Sequence, residues 1–246
     1  IEGVGGDLQS PTQQEVQETY AATIPNITWK SSFAISREMV DDDKVGVFKR
    51  QPAGFVKAYY RTRNEYGAAL LGAASQGNTA VTYRGRSFST KAADGKCLFA
   101  TNHQAKIKGS TQSNLFSNAL TADNLGLAET AMQGFKGDNG ELLGIAPKTI
   151  VIPNIAALKK AAFQAVGSMD DPSTSNHTFN YQYGRWNIIV WPYLNAFCAG
   201  GTSPWFLLDK EYSDLAATLI WQNRVELEVT SKIADNDANV WKGYAR

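Results

Sequence analysis

The sequence has few of the residues that build metal sites and disulfide frameworks. Its 246 residues include two cysteines and two histidines. Cys97 and Cys198 are far apart in the sequence, which favours two reduced, buried thiols over a disulfide scaffold. His103 and His177 are also far apart, with no cysteine pair near them, so no metal-ligand spacing is present. We predict no metal and no cofactor, because phosphate-cradling and metallopeptidase motifs are missing as well.

Long apolar runs and an excess of one charge are missing too. No apolar run approaches the roughly 20 residues that cross a bilayer, so we expect no membrane partner. The 24 Lys and Arg residues nearly balance 23 Asp and Glu residues, so overall charge does not indicate a nucleic-acid partner. A hydrophobic fraction of 43% in a chain of this length is enough to bury a sizeable core.

The clearest structural signal lies between residues 140 and 167. Residues 149–152 are β-branched and mostly apolar, which predicts a short buried strand that Pro153 closes. A helix that ends at Gly167 should follow, because apolar residues recur there at steps of three and four. Its predicted buried stripe is Ile155, Leu158, Ala162, Phe163 and Val166, opposite a polar face of Lys159, Lys160 and Gln164.

Residues 36–75 predict two further helical pieces. The triple aspartate at 41–43 suits the positive end of a helix that begins just after it, over about residues 44–51. Pro52 then suits the first turn of a long helix that runs to about Ala74. Six basic residues and no acidic one lie between Lys44 and Arg63, which indicates either a solvated helix face or a surface that meets an acidic partner.

The first 30 residues are rich in glycine and polar side chains and cannot form a core of their own. Their four carboxylates are not accompanied by a basic residue before Lys30. Residues 28–35 alternate loosely, which favours one arm of a long hairpin whose tip is the polar stretch before it.

The remaining segments alternate between strand, helix and turn signals. We predict a hairpin turn at Asp94-Gly95 and an amphipathic helix over 122–135, capped by Thr121 or Asp123. The helix's apolar residues are Leu125, Leu127, Ala128, Ala131, Met132 and Phe135. Further predictions are turns at 137–140 and 235–239, an exposed loop at 168–180, and strands within 185–194, 205–208 and 221–233.

Several short stretches carry a family resemblance through their order and spacing. They are SREMVDDD at 36–43, DGKCLFATNH at 94–103, Asn114-Leu115, the 125–135 helix, GELLGIAPKTIVIPNIAALKKAA at 140–162 and PWFLLD at 204–209. Together they resemble the major capsid proteins of tailed bacteriophages with the Hong Kong 97-type fold, within them the Mu-like major head subunit group. The resemblance covers roughly residues 27–246.

The resemblance implies an α+β fold with three regions. Residues 1–36 would form an extended loop or arm, and residues 37–135 a long spine helix and peripheral domain, with closing strands from 221–246. Residues 136–220 would form an axial domain. The role implied by the resemblance is structural and not enzymatic, so no catalytic residue is expected.

The implied function is self-assembly into an icosahedral virion shell that encloses packaged double-stranded DNA. The expected partners are copies of the chain in hexameric and pentameric capsomers, portal, scaffold and decoration proteins, and DNA through non-specific contacts. Assembly would take place in the host bacterial cytoplasm. One alternative is an encapsulin-like shell around a cargo enzyme. Another is a carbohydrate-active enzyme or binding module, which six Trp and ten Tyr residues would favour.

A shell also gives the acidic arm something to contact. Glu15 and Glu18 of the arm would meet the basic stretch of a neighbouring subunit, and repetition would make many weak ion pairs selective. The predicted subunit-interface residues are Glu15, Glu18, Trp29, Lys49, Arg50, Lys57, Arg61 and Arg63.

Overall fold

A computed structural model of the chain describes residues 20, 23, 25–43, 46, 50–171, 178–198, 204–209, 226–234 and 237–246. Within them, the helices are α1 (Arg37–Asp41), α2 (Gln51–Ser75), α3 (Ala122–Gln133) and α4 (Ala156–Gly167), and a 3-10 helix spans Pro192–Ala196. The strands are β1 (Trp29–Ile35), β2 (Ala80–Tyr83), β3 (Arg86–Ser89), β4 (Thr149–Ile152), β5 (Asn187–Val190), β6 (Phe206–Leu208), β7 (Glu228–Ile233) and β8 (Asn239–Ala245). This combination of helices and sheets confirms the α+β prediction at the level of a mixed fold.

Strand β4 lies at the centre of a three-stranded sheet and is buried along its whole length. It pairs in parallel with β5 and antiparallel with β6. Because successive side chains of a strand point to opposite faces, Ile150 and Ile152 enter one core while Val151 enters another. The uninterrupted apolar run at 150–152 therefore reflects a strand packed on both faces.

The first core lies between this sheet and helices α3 and α4. Leu125 of α3 is fully buried in it, together with Leu158 and Ala162 of α4. Both predicted helices are confirmed, and the Thr121 hydroxyl accepts a hydrogen bond from the Asn124 N–H at 3.2 Å, as expected of an N-cap.

The second core lies where the C-terminal third of α2 meets the sheet and the 3-10 helix. Ala68 is fully buried there, and its small side chain allows the helix to pack closely. Gly72 is the closest point, because a Cβ at this position would lie 2.8 Å from the Phe197 carbonyl oxygen. The long helix predicted from Pro52 is confirmed. Gly72 of this helix allows the close contact with Phe197.

A separate sheet joins the two ends of the described chain in the order β1-β8-β7. Strand β1 pairs antiparallel with β8 along its whole length, from Trp29 opposite Ala245 to Ile35 opposite Asn239. The strand predicted at 28–35 is thus present, with a partner from the other end of the sequence. The polar stretch predicted as the tip of its hairpin lies almost entirely outside the described residues.

The helix predicted over about residues 44–51 lies almost entirely outside the described residues. A separate short helix, α1, precedes the aspartates, and the Ser36 hydroxyl caps its start by accepting a hydrogen bond from the Met39 N–H at 3.3 Å. Asp41 is the last residue of α1 and Asp42 is its C-cap.

The position of the predicted hairpin turn needs correction. The hairpin ladder in this region joins β2 to β3 and turns at Arg84-Gly85, where both residues have positive φ. Asp94-Gly95 instead makes a small turn closed by a bridge between Lys91 and Cys97. Type I′ turns need this left-handed backbone at both central positions, which glycine adopts without strain.

The apolar stripes of α3 and α4 are narrower than predicted. Phe163 is 55% exposed and Leu127 is 62% exposed. Phe163 lies about 100° around the helix from Ala162, and Ala165 takes the buried position instead. Leu127 is likewise turned away from the buried Leu125.

The turn predicted at 137–140 is confirmed. Gly140, with φ of 85°, closes the predicted turn by donating its N–H to the Gly137 carbonyl at 3.0 Å. Cys97 and Cys198 are free thiols. Among the helices of the described residues, none combines the length and apolar character needed to cross a bilayer.

Candidate subunit-contact surface

The structure brings part of the predicted interface together on one side of α2. Lys57 and Arg61 are exposed on this helix, Arg63 is half-buried, and Arg50 is exposed at the N-cap position. The remaining predicted residue within the described chain, Trp29, is half-buried at the start of β1. Glu15, Glu18 and Lys49 lie outside the described residues.

A groove of about 320 Å³ separates α2 from the sheet formed by β1 and β8, and we call it the α2 groove. Trp29, Phe55 and Tyr59 supply its aromatic wall. Four cationic side chains also line it, namely Lys30, Arg61, Arg63 and Arg84. Three of the predicted interface residues, Trp29, Arg61 and Arg63, therefore lie in one site, whereas Arg50 and Lys57 do not line it.

Aromatic contacts fix strand β1 against α2. The Trp29 ring lies 5.7 Å from the Tyr66 ring in an edge-on arrangement, and the Phe33 ring lies 5.4 Å from the Phe55 ring. Phe33 also stacks on Trp241 of β8, with the ring centroids 6.2 Å apart. Such ring pairs add stability beyond the area that they bury, so the groove has a defined wall.

The close approach of β8 to α2 requires a glycine. A Cβ at Gly243 would collide with the Phe55 ring and would lie 3.5 Å from Leu227. Gly243 stands opposite Ser31 in the β1-β8 ladder. The absence of a side chain here lets Phe55 cover the sheet and shape the bottom of the groove.

Among the described residues that line the groove, Glu65 alone is acidic, and its carboxylate already has partners. Its Oε2 accepts a hydrogen bond from the Tyr83 hydroxyl at 2.8 Å and lies 3.4 Å from the Arg84 guanidinium. Burial, together with this bond to Glu65, raises the pKa of Tyr83. The groove thus keeps an excess of positive charge.

Tyr59 adds no negative charge to this surface. Burial raises the pKa of its hydroxyl above the ordinary value, with a smaller contribution in the same direction from Glu226. The neighbouring guanidinium of Arg63 opposes this shift. At neutral pH the groove therefore presents neutral phenols and positive guanidinium groups, an arrangement suited to carboxylates beside apolar side chains.

The candidate metal ligands do not converge in the described part of the chain. No group of three or more His, Cys, Asp or Glu residues able to hold a metal ion occurs there. His103 is paired with Asp94, with 2.7 Å between Nδ1 and Oδ2, while His177 lies outside the described residues.

Comparison of the sequence with known protein families identifies the family of this chain. The model of the phage capsid protein family matches residues 21–246. The chain belongs to the phage capsid protein family. It is a capsid shell protein, and the α2 groove lies on the surface of a capsid subunit.

Two solved capsid structures are similar to this capsid subunit. The capsid of bacteriophage JBD30 decorated with minor capsid protein trimers shares 16% identity at a TM-score of 0.49, covering 70% of this chain and 75% of that chain. A second structure of the bacteriophage JBD30 capsid shares 17% identity at a TM-score of 0.47, covering 76% of this chain and 84% of that chain. A comparison with curated proteins gives no match. The family assignment rests on the sequence match alone.

Sequence reasoning missed several residues of the α2 groove. Arg84 enters it from the β2-β3 turn, and Gly243 enters it from β8. The Arg84-Gly85 pair was an available signal, because glycine at the second position of a two-residue turn favours a hairpin. Gly243 carried no such local signal, since its role depends on Phe55, which is far away in the sequence.

Proposed function

We propose that this capsid subunit assembles with copies of itself into a closed icosahedral shell around packaged double-stranded DNA. The family match over residues 21–246 supports this proposal. In this proposal the fold is of the Hong Kong 97 type, with an extended loop at 1–36, a spine helix and peripheral domain at 37–135 and 221–246, and an axial domain at 136–220. The role is structural and non-enzymatic.

The observation that carries the assembly mechanism is the positive charge of the α2 groove. Among the described residues that line it, the cations Lys30, Arg61 and Arg84 outnumber the carboxylate of Glu65. Residues 1–19 contain four carboxylates and no basic residue. We place this acidic arm of one subunit against the α2 groove of a neighbour, with Glu15 and Glu18 close to the arginines.

The reach of the arm is compatible with this contact. The ring of Tyr20 lies 5.7 Å from Lys106 Nζ on its own subunit. Nineteen residues before Tyr20, fully extended, span at most about 65 Å. An exposed ion pair contributes only about 0.2 to 1 kcal/mol, so each contact stays reversible while the repeated contacts of a shell select the correct assembly.

Electron microscopy of the purified full chain tests the shell. We expect closed particles or capsomer rings that form above a threshold concentration. Dispersed monomers at every concentration and salt level, together with hydrolysis of a glycan, would instead support the carbohydrate-active alternative.

The content of particles from phage-producing cells tests what the shell encloses. We expect nuclease-protected double-stranded DNA, held through non-specific contacts. Particles that hold a cargo enzyme and no DNA would support the encapsulin-like alternative. Portal, scaffold or decoration proteins that bind the shell should co-purify with the same particles. If assembly takes place in the host cytoplasm, empty shells should be found in the cytoplasm.

A further inference from the structure

The turn at 137–140 contains the one Asn-Gly pair of the sequence, Asn139-Gly140. Among asparagine residues, those followed by glycine are the most prone to deamidation. Glycine has no Cβ, so its backbone nitrogen reaches the side chain of the preceding asparagine without hindrance. The structure decides whether the folded chain permits this reaction.

Deamidation of an Asn-Gly pair requires only water. The glycine nitrogen loses its proton and bonds to the side-chain carbonyl carbon of the asparagine, and the carbon–nitrogen bond of the amide breaks. The amide nitrogen leaves as ammonia and carries that proton away. Water then opens the resulting succinimide ring at either carbonyl, which gives aspartate or isoaspartate. In isoaspartate the main chain runs through the former side chain and is one CH₂ group longer.

A second turn has the same backbone arrangement and carries an Asp-Gly pair. In the 137–140 turn, the Gly140 N–H donates to the Gly137 carbonyl at 3.0 Å, and in the 92–95 turn the Gly95 N–H donates to the Ala92 carbonyl at 3.0 Å. The two glycines have φ of 85° and 79°. The backbone therefore restrains the glycine nitrogen to a similar degree in both turns.

The side chains before the two glycines differ in their surroundings. The side chain of Asp94 is 8% exposed. Its Oδ1 accepts a hydrogen bond from the Lys96 N–H at 3.1 Å, and its Oδ2 lies 2.7 Å from His103 Nδ1. Asn139 is exposed, and no residue in the described part of the chain forms a hydrogen bond with its side-chain amide. The Asn139 amide is therefore free to rotate toward the Gly140 nitrogen.

The remaining restraint is the hydrogen bond of the Gly140 N–H, because the nitrogen must lose its proton before it attacks. A turn at the surface opens locally at a small free-energy cost while the rest of a protein stays folded. We propose that Asn139 deamidates spontaneously in the folded subunit, through a succinimide formed with Gly140. This inference does not depend on the proposed shell.

The products would change both the charge and the main chain of the turn. Each conversion replaces a neutral amide with a carboxylate. The turn also holds a neighbouring loop, since Asp138 accepts hydrogen bonds from the Lys106 N–H at its Oδ1 (3.2 Å) and from the Lys108 N–H at its carbonyl (2.8 Å). Isoaspartate at 139 lengthens the main chain beside this anchor and weakens the attachment of the loop.

Peptide mapping of the aged subunit tests the inference. Purified full-length chain is incubated folded, at neutral pH, in water enriched in heavy oxygen, and is then digested and analysed by mass spectrometry. Asn139 should convert to aspartate and isoaspartate with uptake of one heavy oxygen atom. Its rate should exceed that of any other asparagine of the described residues by about tenfold or more, a difference of about 1.4 kcal/mol in activation free energy. Faster conversion of another asparagine, or no conversion at 139, would overturn the inference.

Two variants separate the effect of the fold from that of the dipeptide. Asp94→Asn places an Asn-Gly pair in the 92–95 turn, where the Lys96 N–H still has an oxygen to bond. In the folded chain this position should convert about tenfold or more slowly than Asn139, and in urea the two rates should converge. Equal rates in the folded chain, or a ratio that urea leaves unchanged, would show that the surroundings of Asn139 have no part in its reactivity.

The second variant, Asn139→Gln, keeps the amide but requires a larger and slower-forming ring. Ion-exchange chromatography of the aged chain should show that the more acidic form of the wild type is missing from this variant. An equal amount of acidic form in both chains would place the modification elsewhere and overturn the inference.

Discussion

Strands β4 and β1 are both paired along their length, but different forces hold them in place. All four residues of β4 are buried between two cores. Of the seven residues of β1, Ile35 alone is buried, and the aromatic rings of Trp29 and Phe33 make the contacts with α2. Apolar burial therefore stabilises the β4 region, whereas a backbone ladder and a few rings stabilise the β1 sheet. The subunit combines a strand that is buried on both faces with a strand most of whose residues are exposed or half-buried.

Truncation of a β4 side chain should give the largest loss of stability. Ile150→Ala removes a fully buried side chain from the core under α3 and α4, so we expect the free energy of unfolding to fall by about 2 to 5 kcal/mol. Ile233→Ala, at a position that is 74% exposed in β7, should change it by less than about 0.5 kcal/mol. Urea denaturation of unassembled subunits measures both. Equal losses would contradict the difference between the two regions.

A smaller loss should follow from crowding the contact of α2 with the 3-10 helix. In Gly72→Ala the new Cβ would lie 2.8 Å from the Phe197 carbonyl oxygen, and we expect a loss of about 1 to 3 kcal/mol from overpacking. Gly54→Ala is the control in the exposed half of the same helix, where a Cβ meets no atom within 4 Å. It should stabilise the subunit by about 0.5 to 1 kcal/mol. Stabilisation by both substitutions would refute the tight contact.

A hydrogen-bonded pair of loop residues, Asp94 and His103, should contribute less, and its contribution should depend on pH. Although burial opposes ionisation of Asp94, hydrogen bonds from His103 and the Lys96 N–H outweigh it and lower the pKa of this carboxyl. A lowered folded-state pKa stabilises the fold above the unfolded pKa of about 3.9. This stability is lost as the pH falls through the folded-state value.

We therefore expect Asp94→Asn to lower the free energy of unfolding by about 1 to 2 kcal/mol at pH 7. Wild type and variant should converge as the pH falls below about 4. Denaturant titrations at several pH values between 7 and 3 give the comparison. A difference that stays constant over this range would show that the carboxylate charge has no part in the contact.

Charge reversal in the arm should leave stability almost unchanged and act on assembly. Glu15→Lys with Glu18→Lys places positive charges where the proposed contact needs carboxylates, so light scattering should show slower and less complete assembly. The free energy of unfolding should change by less than about 0.5 kcal/mol. The pair Glu15→Gln with Glu18→Gln should have an intermediate effect, because it removes charge without reversing it. Normal assembly of the reversed variant across a salt series would rule out the electrostatic contact.

The features predictable from the sequence are those whose signals are local. β-Branched residues before Pro153 indicated β4, and apolar spacing up to Gly167 indicated α4. The exposure of Phe163 was not predictable, because spacing alone allows two adjacent stripes and only the packing of Ala165 selects between them.

The α2 groove was only partly predictable, because it joins residues that are distant in the sequence. The basic stretch of α2 pointed to Arg61 and Arg63, whereas Arg84 and Gly243 enter the groove through β2-β3 pairing and β1-β8 pairing. Backbone ladders use the same N–H and C=O groups at every residue. Strand order between distant segments therefore leaves little trace in the side chains.

The pairing of β1 with β8 has a consequence for how the subunit is made in the cell. Residues 29–35 leave the ribosome before their hydrogen-bond partners at 239–245, which are synthesised about two hundred residues later. Until then the early strand has no ladder to join, while the β4 region can already fold. A chain whose synthesis stops before β8 therefore lacks the partner strand of β1 and the Gly243 side of the α2 groove.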